Sequence, residues 1–398
     1  MRILEVVPYY APEWQFGGPV RAVYELSRAL ADRGNDVTVW TSRMSSASEH
    51  RNFSDNAGIS DIGSLNVVRY SVVSRRFSRR TLMFITPRMI LDLAAISDFD
   101  VIHLHDSRSF QNVVLSKAAR SNGVPYVLSP HGSLGYEFGK IPLKRAYDLL
   151  WNRAILGNAR RVVALTPFES RQLAELGVLA EKISVIPNGI ERPDIGSAHL
   201  SRQQMRLRLG LNKETIAILF VGRVAPVKGV DLIVPILAEL DKHDLDVRFL
   251  IAGPDFGGKD PLEKQVAEYK CQDRVECFGY ITNPFKTMLY WASDIFLLPS
   301  ASEGLPIAAL EAIGAGLPVV STHESNLGSL PGGGQNVRLV SRNPQSLAEA
   351  IINAILDASA NFEERLRRAN EAWLQIGWPV IAGRMEALYS ECISSAGT

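Results

Sequence analysis

Short apolar runs that alternate with longer segments of helical periodicity constrain the fold of this sequence most, and the alternation occurs twice. The predicted strands are Ile3–Val7, Val37–Thr41, Val67–Tyr70, Val101–Leu104, Tyr126–Ser129, Val162–Leu165 and Ile183–Ile186 in the first half, and Ile216–Val221, Arg248–Ala252, Val275–Phe278, Ile295–Leu298, Val319–Ser321 and Val337–Val340 in the second. Parallel strands that are buried on both faces read as continuous apolar runs and need helical crossovers. The pattern therefore predicts an α/β protein with two doubly wound parallel sheets.

A segment rich in turn-forming residues separates the two halves. Pro187–Ser201 contains few large apolar residues, which is typical of a linker between domains. We therefore expect a Rossmann-like domain over residues 1–190 and a second over residues 191–378. Ligands of doubly wound sheets bind beyond the carboxyl ends of the strands, so two such domains predict a cleft lined by the loops that follow them.

The composition fits two globular domains and excludes several other classes. The chain has 398 residues, of which 46% are hydrophobic and 21% are charged, and its net charge is +1, so neither disorder nor nucleic-acid binding is indicated. The three cysteines (Cys271, Cys277 and Cys392) fit neither a disulfide framework nor a zinc site, which favours free thiols in a reducing compartment. The opening MRILEVVPYY reads as a strand, and no apolar run reaches about 18 residues. We expect a cytoplasmic protein, either soluble or peripheral on the inner face of the cytoplasmic membrane.

The loop after the first predicted strand is a candidate binding loop. It ends in Gly17-Gly18, and a helix is predicted to open at Pro19 and to continue through Val20–Arg33. Paired glycines let the backbone approach a ligand, and a helix N-terminus offers N–H groups to an anion. An ordinary turn is the alternative, since neither a dinucleotide fingerprint nor a P-loop follows the strand.

Two further loops carry charged residues at strand ends in the second domain. In GRVAPVKG, Arg223 and Lys228 follow a strand, where they would hold a diphosphate or would simply be solvated. In SEGLPIAALEAIGAG, Glu303 precedes a helix whose first residue is predicted to be Pro306. Glu311 lies five residues beyond that proline, a rise of about 7.5 Å.

The N–H groups between these two glutamates offer a phosphate site. Gly304 and Leu305 lie at the positive end of the predicted helix, so a ligand with a phosphate in its middle and hydroxyls at each end would fit between the carboxylates. The alternative is a capping carboxylate followed by an unrelated surface glutamate.

Together these motifs resemble the retaining glycosyltransferases of family 4, also called group 1 glycosyltransferases, which have the GT-B fold. The resemblance rests on the E-x7-E stretch, on GRVAPVKG, on VIPNG before the second domain, on SPHG in the first and on the Gly17-Gly18 loop. The motifs occur in the family's order from residue 1 to about residue 340.

The resemblance implies a role for each motif residue in binding a nucleotide sugar. It implies that Arg223 and Lys228 bind the diphosphate, Glu311 the ribose and Glu303 the hydroxyls of the transferred sugar. It further implies phosphate contacts from the N–H groups of Gly304 and Leu305, closure of the Gly17-Gly18 loop on donor and acceptor, and a place for His131 beside the reacting sugar. Glu303 and His131 are thus the expected catalytic residues.

The family's C-terminal helix crosses back onto the first domain. Here the break at Gly377-Trp378-Pro379 and the apolar periodicity of Val380–Ile393 suit such a helix, so residues 379–398 are expected to belong to the first domain.

No metal ion or other cofactor is expected. Fixed cations and helix N–H groups stabilise the negative charge of a leaving nucleoside diphosphate without one. His103 and His105 in DVIHLHD are the alternative metal ligands, but they alternate along a strand and no third ligand is apparent. One departure from the family pattern follows VVSTH, where Glu324 is displaced from the position of the usual glutamate, and it is assigned no role.

Basic clusters in the first domain suggest where an acceptor approaches. RRFSRR supplies Arg75, Arg76, Arg79 and Arg80, followed by Leu82, Met83, Phe84 and Ile85, and GKIPLKR supplies Lys140, Lys144 and Arg145. Such a surface would rest on anionic lipid and meet a lipid-linked acceptor, whereas the alternative is solvated helix faces.

The predicted function is transfer of a hexose-type sugar, with retention, from a nucleoside diphosphate sugar to a hydroxyl of a glycan or lipid-linked acceptor, in cell-surface polysaccharide, lipopolysaccharide or glycolipid synthesis. Two alternatives stay open: a sugar-nucleotide epimerase or phosphorylase-like enzyme of the same fold, and a non-catalytic two-domain protein that binds a small molecule.

Overall fold

The computed structural model describes residues 1–44, 59–62, 65–81, 83–135, 141–192, 195–330, 336–358 and 362–395. It divides into two compact units. Unit 1 is Met1–Gly189 with Trp378–Thr398, and unit 2 is Ile190–Gly377. Each unit is built around one sheet with its own buried apolar core.

Unit 1 contains one sheet of eight strands. They are β1 (Arg2–Val6), β2 (Asp36–Arg43), β3 (Ile59–Ile62), β4 (Leu65–Ser71), β5 (Val101–His105), β6 (Tyr126–Ser129), β7 (Arg161–Ala164) and β8 (Ile183–Val185). The order across the sheet is β3-β4-β2-β1-β5-β6-β7-β8, and all neighbours are parallel except β3 and β4. Strand β3 was not predicted, because its sequence ISDI is short and half polar. The chain leaves β1 toward one edge and returns at β5 toward the other, so the switch point lies between β1 and β5.

Unit 2 contains a fully parallel sheet of six strands. They are β9 (Ile216–Val221), β10 (Val247–Ala252), β11 (Val275–Gly279), β12 (Ile295–Leu298), β13 (Val319–Thr322) and β14 (Val337–Val340). Their order is β11-β10-β9-β12-β13-β14, which places the switch point between β9 and β12. The predicted fold class, two doubly wound parallel sheets, is confirmed.

Helices cover the two sheets. They are α1 (Gly18–Asp32), α2 (Arg75–Thr81), α3 (Phe110–Ser121), α4 (Ile141–Tyr147), α5 (Arg153–Asn158), α6 (Pro167–Glu175), α7 (Ile195–Arg208), α8 (Ile233–Leu240), α9 (Lys259–Tyr269), α10 (Phe285–Ala292), α11 (Ile307–Gly314), α12 (Pro344–Ala358), α13 (Phe362–Ile376) and α14 (Trp378–Ser394), with one π-helical turn at Asp148–Asn152. In α1 the predicted apolar face, including Val20 and Leu30, is buried. Gly34, with φ +88°, follows its C-terminus.

The predicted linker is partly helical, because α7 begins at Ile195 inside it. Contacts of Arg202 help to explain why this segment is helical rather than a loop. Its guanidinium donates to the carbonyl oxygens of Trp291 and Ser293 at 2.8 and 3.0 Å and to the Asp294 carboxylate at 2.6 Å. Such tertiary contacts fix a helix that local composition does not favour.

Helix α14 returns to unit 1, as the resemblance implied. Glu386 accepts hydrogen bonds from Arg33 Nε and Asn35 Nδ2 at 2.8 and 2.9 Å, and the Tyr389 hydroxyl lies 2.7 Å from Nδ1 of His103. Pro379 is tolerated because it lies in the first turn of the helix.

The three cysteine thiols are free, and Cys271 and Cys392 are buried. Among the helices of the described residues, none combines the length and the apolar character that crossing a bilayer requires.

Candidate functional site

The loops after β9 and β12 are bonded to each other at the switch point of unit 2. The Ala301 N–H donates to the Val227 carbonyl at 2.8 Å. Gly229 has φ +80°, and a Cβ at this position would lie 2.1 Å from the Pro299 carbonyl oxygen. Only glycine permits this approach, which brings Lys228 to the loop that carries Glu303.

Lys228 and Glu303 form a mostly buried ion pair. Lys228 Nζ lies 2.5 Å from Glu303 Oε1, and the two side chains are 15% and 8% exposed. The Ser300 hydroxyl donates to the same oxygen at 2.7 Å. The Glu303 backbone is also held, since its N–H donates to the Glu324 carbonyl at 3.0 Å and its carbonyl accepts from Asn326 Nδ2 at 2.6 Å. Glu303 is therefore fixed by side chain and backbone together.

The N–H groups of Gly304 and Leu305 lie next to this ion pair. Neither donates a hydrogen bond to any group within the described part of the chain. The helix that follows begins at Ile307 rather than at Pro306, which corrects the prediction. Pro306 has an extended ψ of 113° and is the N-cap, and its carbonyl accepts from Ala309 and Leu310 at 3.1 and 3.2 Å. The two N–H groups thus remain available to an anion in front of α11.

Glu311 is paired with two residues that the sequence did not single out. Its Oε1 lies 2.5 Å from Lys286 Nζ, and its Oε2 lies 2.9 Å from the Tyr290 hydroxyl. Burial, with the Glu311 charge beside it, raises the pKa of Tyr290, which therefore stays a hydrogen-bond donor. Lys286 and Tyr290 are four residues apart on α10, so helical periodicity would have placed them on one face.

Arg223 takes no part in the Lys228–Glu303 ion pair. The side chain is exposed, and its guanidinium carbon lies 5.4 Å from the ring centre of Phe256, which follows β10. No carboxylate of the described residues forms a salt bridge with Arg223. The two cations that were predicted to bind the diphosphate thus have different partners: Lys228 is paired with a carboxylate, and Arg223 packs on an aromatic ring.

In unit 1, Gly17 ends a turn of 3₁₀ helix at Trp14–Phe16 and precedes α1, whose first residue is Gly18. Gly17 has φ +94° and ψ −153°, a conformation that a residue with a Cβ rarely adopts. The glycine pair leads directly into α1, which begins one residue before the predicted start at Pro19.

His131 lies in a tight loop after β6, held by a buried glutamate. His131 and Gly132 have φ values of +54° and +74°. Glu169, in the first turn of α6, accepts from the Gly132 N–H at 2.6 Å and from the Leu165 N–H at 2.7 Å. Burial raises the pKa of Glu169. The sequence offered a signal for this residue, because Thr166 to Glu169 has the T-x-x-E spacing of a helix start.

A buried network of imidazoles lies next to this loop. Nδ1 of His105 is 2.8 Å from Nε2 of His131, and Nε2 of His105 contacts Oε2 of Glu5. His103 lies 2.7 Å from both the Ser129 hydroxyl, through Nε2, and the Tyr389 hydroxyl, through Nδ1.

No third ligand beside His103 and His105 was apparent from the sequence, and the structure corrects this expectation. Glu5 is the third such group, and the ligand-type atoms of the three residues lie within 4.8 Å of one another. Each nitrogen of the two imidazoles already has a hydrogen-bond partner, so the cluster is satisfied as a hydrogen-bond network.

Burial and neighbouring charges shift the pKa values of the residues in this network. It lowers the pKa of His105 to about 4, and it lowers the pKa of His131 well below the ordinary value. Burial by itself would raise the pKa of the Glu5 carboxyl, but the adjacent imidazoles outweigh it and lower that pKa. At neutral pH, Glu5 is therefore ionised and both histidines are neutral.

The predicted basic and apolar surface is only partly present. Arg75, Arg76 and Phe77 on α2 are exposed. Phe84, by contrast, is buried, with its ring centre 5.3 Å from that of Tyr9, so its predicted place on this surface is wrong. Leu82, Lys140 and the side chains of Arg79 and Arg80 lie outside the described residues.

The second predicted cluster lies next to exposed apolar residues. Lys144 and Arg145 are on α4, and Lys144 Nζ donates to the Gly135 carbonyl at 3.0 Å. Leu143, Leu149, Leu150 and Trp151 are 51%, 68%, 63% and 38% exposed. The helical segment over residues 141–152 thus carries both cations and exposed large apolar side chains.

Two family models match the chain, one in each half. Glycosyltransferase Family 4 matches residues 16–192, and Glycosyl transferases group 1 matches residues 201–373.

Curated relatives match over most of the chain. D-inositol 3-phosphate glycosyltransferase 1 of Catenulispora acidiphila is 29% identical over 322 residues, which are 76% of this chain and 74% of the relative. A phosphatidylinositol N-acetylglucosaminyltransferase subunit of Arabidopsis thaliana is 27% identical over 399 residues, which are 99% of this chain and 82% of the relative.

Solved structures resemble the whole chain. HepE of Anabaena, in complex with UDP and glucose, superposes with a TM-score of 0.73 at 20% identity and covers 98% of this chain and 100% of its own. Sucrose-phosphate synthase from Thermosynechococcus elongatus gives a TM-score of 0.74 at 20% identity, with coverage of 99% and 100%. At this identity the likeness establishes the fold alone.

Proposed function

Since the chain belongs to the family 4, group 1 glycosyltransferases and has their GT-B fold, we propose that it moves a hexose-type sugar, with retention, from a nucleoside diphosphate sugar to a hydroxyl of a glycan or lipid-linked acceptor. The observation that carries the proposal is the arrangement in front of α11. A buried carboxylate–ammonium pair and two N–H groups without acceptors in the described chain lie next to one another there.

The donor fits this arrangement by charge. Glu303 would accept hydrogen bonds from hydroxyls of the transferred sugar, and Glu311 from those of the ribose. The ammonium of Lys228 has three N–H donors, so it can keep Glu303 and still bind a phosphate oxygen. The N–H groups of Gly304 and Leu305 and the guanidinium of Arg223 would bind the rest of the diphosphate.

The reaction needs charge stabilisation more than it needs acid or base groups. The bond between the anomeric carbon and the diphosphate oxygen breaks, and its electron pair stays on the diphosphate. The acceptor oxygen bonds to the anomeric carbon from the same face, and its proton passes to the leaving phosphate. Lys228, Arg223 and the two N–H groups stabilise the developing charge in advance of the step. We therefore expect activity to survive a chelator.

The acceptor class is proposed from the relatives and from unit 1. The names of two relatives specify transfer to an inositol phosphate and to phosphatidylinositol, so a phosphorylated or lipid-linked polyol joins glycans as a candidate acceptor. Lys144, Arg145 and the exposed apolar side chains near them would rest on an anionic membrane. Sedimentation with anionic and neutral vesicles tests this part, and equal recovery with both would contradict it.

Thermal-shift screening across nucleotide sugars tests the proposal directly. A donor that binds the folded chain raises its apparent stability by mass action. We expect one donor to raise the melting temperature of the wild type by more than that of Glu311→Ala. We also expect it to release its nucleotide only when an acceptor is added. Conversion of the donor without an acceptor would instead identify an epimerase.

A further inference from the structure

The strand order of unit 1 brings Glu5, His105 and His131 into one line. In the sheet Glu5 on β1 is paired with His103 on β5, and His105 on β5 is paired with Ser129 on β6, directly before the His131 loop. The side chains of Glu5 and His105 are 0% and 1% exposed. Three residues distant in the sequence thus form one continuous chain of polar atoms.

The placement of protons along this line follows from donor and acceptor chemistry. An ionised carboxylate only accepts, so Nε2 of His105 must carry the proton that faces Glu5. A neutral imidazole has one proton, so Nδ1 of His105 carries a lone pair. At 2.8 Å from that lone pair, Nε2 of His131 must be the donor. Nδ1 of His131 is then left with a lone pair.

Nδ1 of His131 is the last atom of this hydrogen-bonded line. Nδ1 of His131 is buried and has no hydrogen-bond partner among the described residues. A buried acceptor without a partner is costly unless something donates to it. The backbone of the loop is fixed independently, through Glu169 and through the Ser133 N–H, which donates to the Pro130 carbonyl at 3.2 Å.

We propose that Glu5 and His105 are positioning residues that fix the tautomer of His131, so that its Nδ1 accepts a hydrogen bond from a sugar hydroxyl. The identity of that hydroxyl rests on the proposed function, whereas the tautomer does not. With the other tautomer, the same ring in the same place would present an N–H and would repel a hydroxyl proton.

Nitrogen NMR of the full chain labelled with 15N-histidine tests the tautomer without substrate. The signals of His131 are assigned by their loss in His131→Asn. Near neutral pH we expect the wild type to show Nε2 protonated and Nδ1 unprotonated. Glu5→Gln keeps the shape but can donate to His105, so we expect it to change the His131 tautomer in part or fully. Ser129→Ala is the matched control, because it removes a buried hydroxyl that lies 2.7 Å from Nε2 of His103 and leaves the side chains of Glu5, His105 and His131 in place.

A protonated Nδ1 in the wild type would overturn the proposal, as would an unchanged tautomer in Glu5→Gln. If Glu5→Gln does not fold, the tautomer of His131 in the wild type still tests the proposal, because a protonated Nδ1 there contradicts it.

Kinetics add a second readout, measured with the donor selected by thermal shift. Glu5→Gln should lower kcat/KM about tenfold, the worth of one well-placed hydrogen bond. The effect should disappear in a His131→Asn background, since asparagine does not reach His105. An equal loss in both backgrounds would mean that Glu5 acts only through stability, and it would overturn the proposal. Absence of any transfer activity would count against the proposed function and leave the tautomer result standing.

Discussion

Glu303 in unit 2 and Glu5 in unit 1 are both nearly buried carboxylates close to the switch point of a doubly wound sheet, yet their charges are balanced by different means. Glu303 faces the ammonium of Lys228, which has further donors to offer, and two N–H groups lie beside it. Glu5 faces imidazoles whose nitrogens are all engaged. Lys228 can therefore bind a charged ligand while it stays paired with Glu303. The imidazole network has no free donor of this kind, so it can only fix the ring orientation and the tautomer of His131.

The pH dependence of stability gives the largest expected contrast between the two regions. The pKa of His105 is about 4 in the folded chain against 6.5 for a free histidine, so the unfolded chain binds more protons between these values. The free energy of unfolding should therefore fall as the pH drops from about 6.5 to 4, by on the order of 3 kcal/mol at about 1.4 kcal/mol per pKa unit. The lowered pKa of Glu5 extends the loss further into acid.

Urea unfolding at several pH values measures this slope. His105→Asn should make the slope shallower, and the lowered pKa of His131 should keep part of it. A slope that is the same in wild type and His105→Asn would show that the network does not titrate with folding.

Breaking the ion pair of unit 2 should cost somewhat less. Lys228→Ala leaves the Glu303 carboxylate mostly buried without its cation, and we expect a loss of about 2 kcal/mol, less than for a fully buried pair because both side chains keep some exposure. The double variant Lys228→Met/Glu303→Gln removes both charges and should regain most of that stability while remaining inactive. Urea unfolding and a transfer assay on the same samples separate the two effects. Recovery of activity in the double variant would contradict the assigned roles.

The difference between the two regions also shows what the sequence could predict. The E-x7-E and GRVAPVKG motifs located Glu303 and Lys228, because short motifs record local geometry. The pairing of Glu311 with Lys286 and Tyr290 was not visible, since α10 lies outside these motifs.

The strands, too, could be predicted from the sequence only in part. Apolar runs revealed every parallel strand, but the polar β3 was missed. Such runs also do not say which strands become neighbours. Only the β1-β5-β6 order brings Glu5 to His105 and His105 to His131.

The affinity for the donor tests the role of Glu311 in unit 2. Glu311→Ala removes the proposed ribose contact, and we expect the donor to bind more weakly by about 1.5 to 3 kcal/mol, the worth of hydrogen bonds to a charged group. Calorimetry with the nucleoside diphosphate alone is sufficient, because the ribose is part of it. Glu324→Ala, at an exposed glutamate with no assigned role, is the control. Equal affinities in all three proteins would exclude Glu311 from the donor site.

The smallest expected effect concerns the loop that carries His131. Glu169 accepts two backbone N–H groups, from Gly132 and Leu165, with its two oxygens. Glu169→Gln keeps one acceptor and turns the other into a donor that faces an N–H, so we expect a loss of stability of about 1 to 3 kcal/mol, toward the lower end because the amide can rotate away. Because the loop backbone then moves while Glu5 and His105 remain, the His131 tautomer should persist and kcat/KM should still fall. Hydrogen exchange at the Gly132 amide reports the loop directly, and protection equal to that of the wild type would show that Glu169 does not hold it.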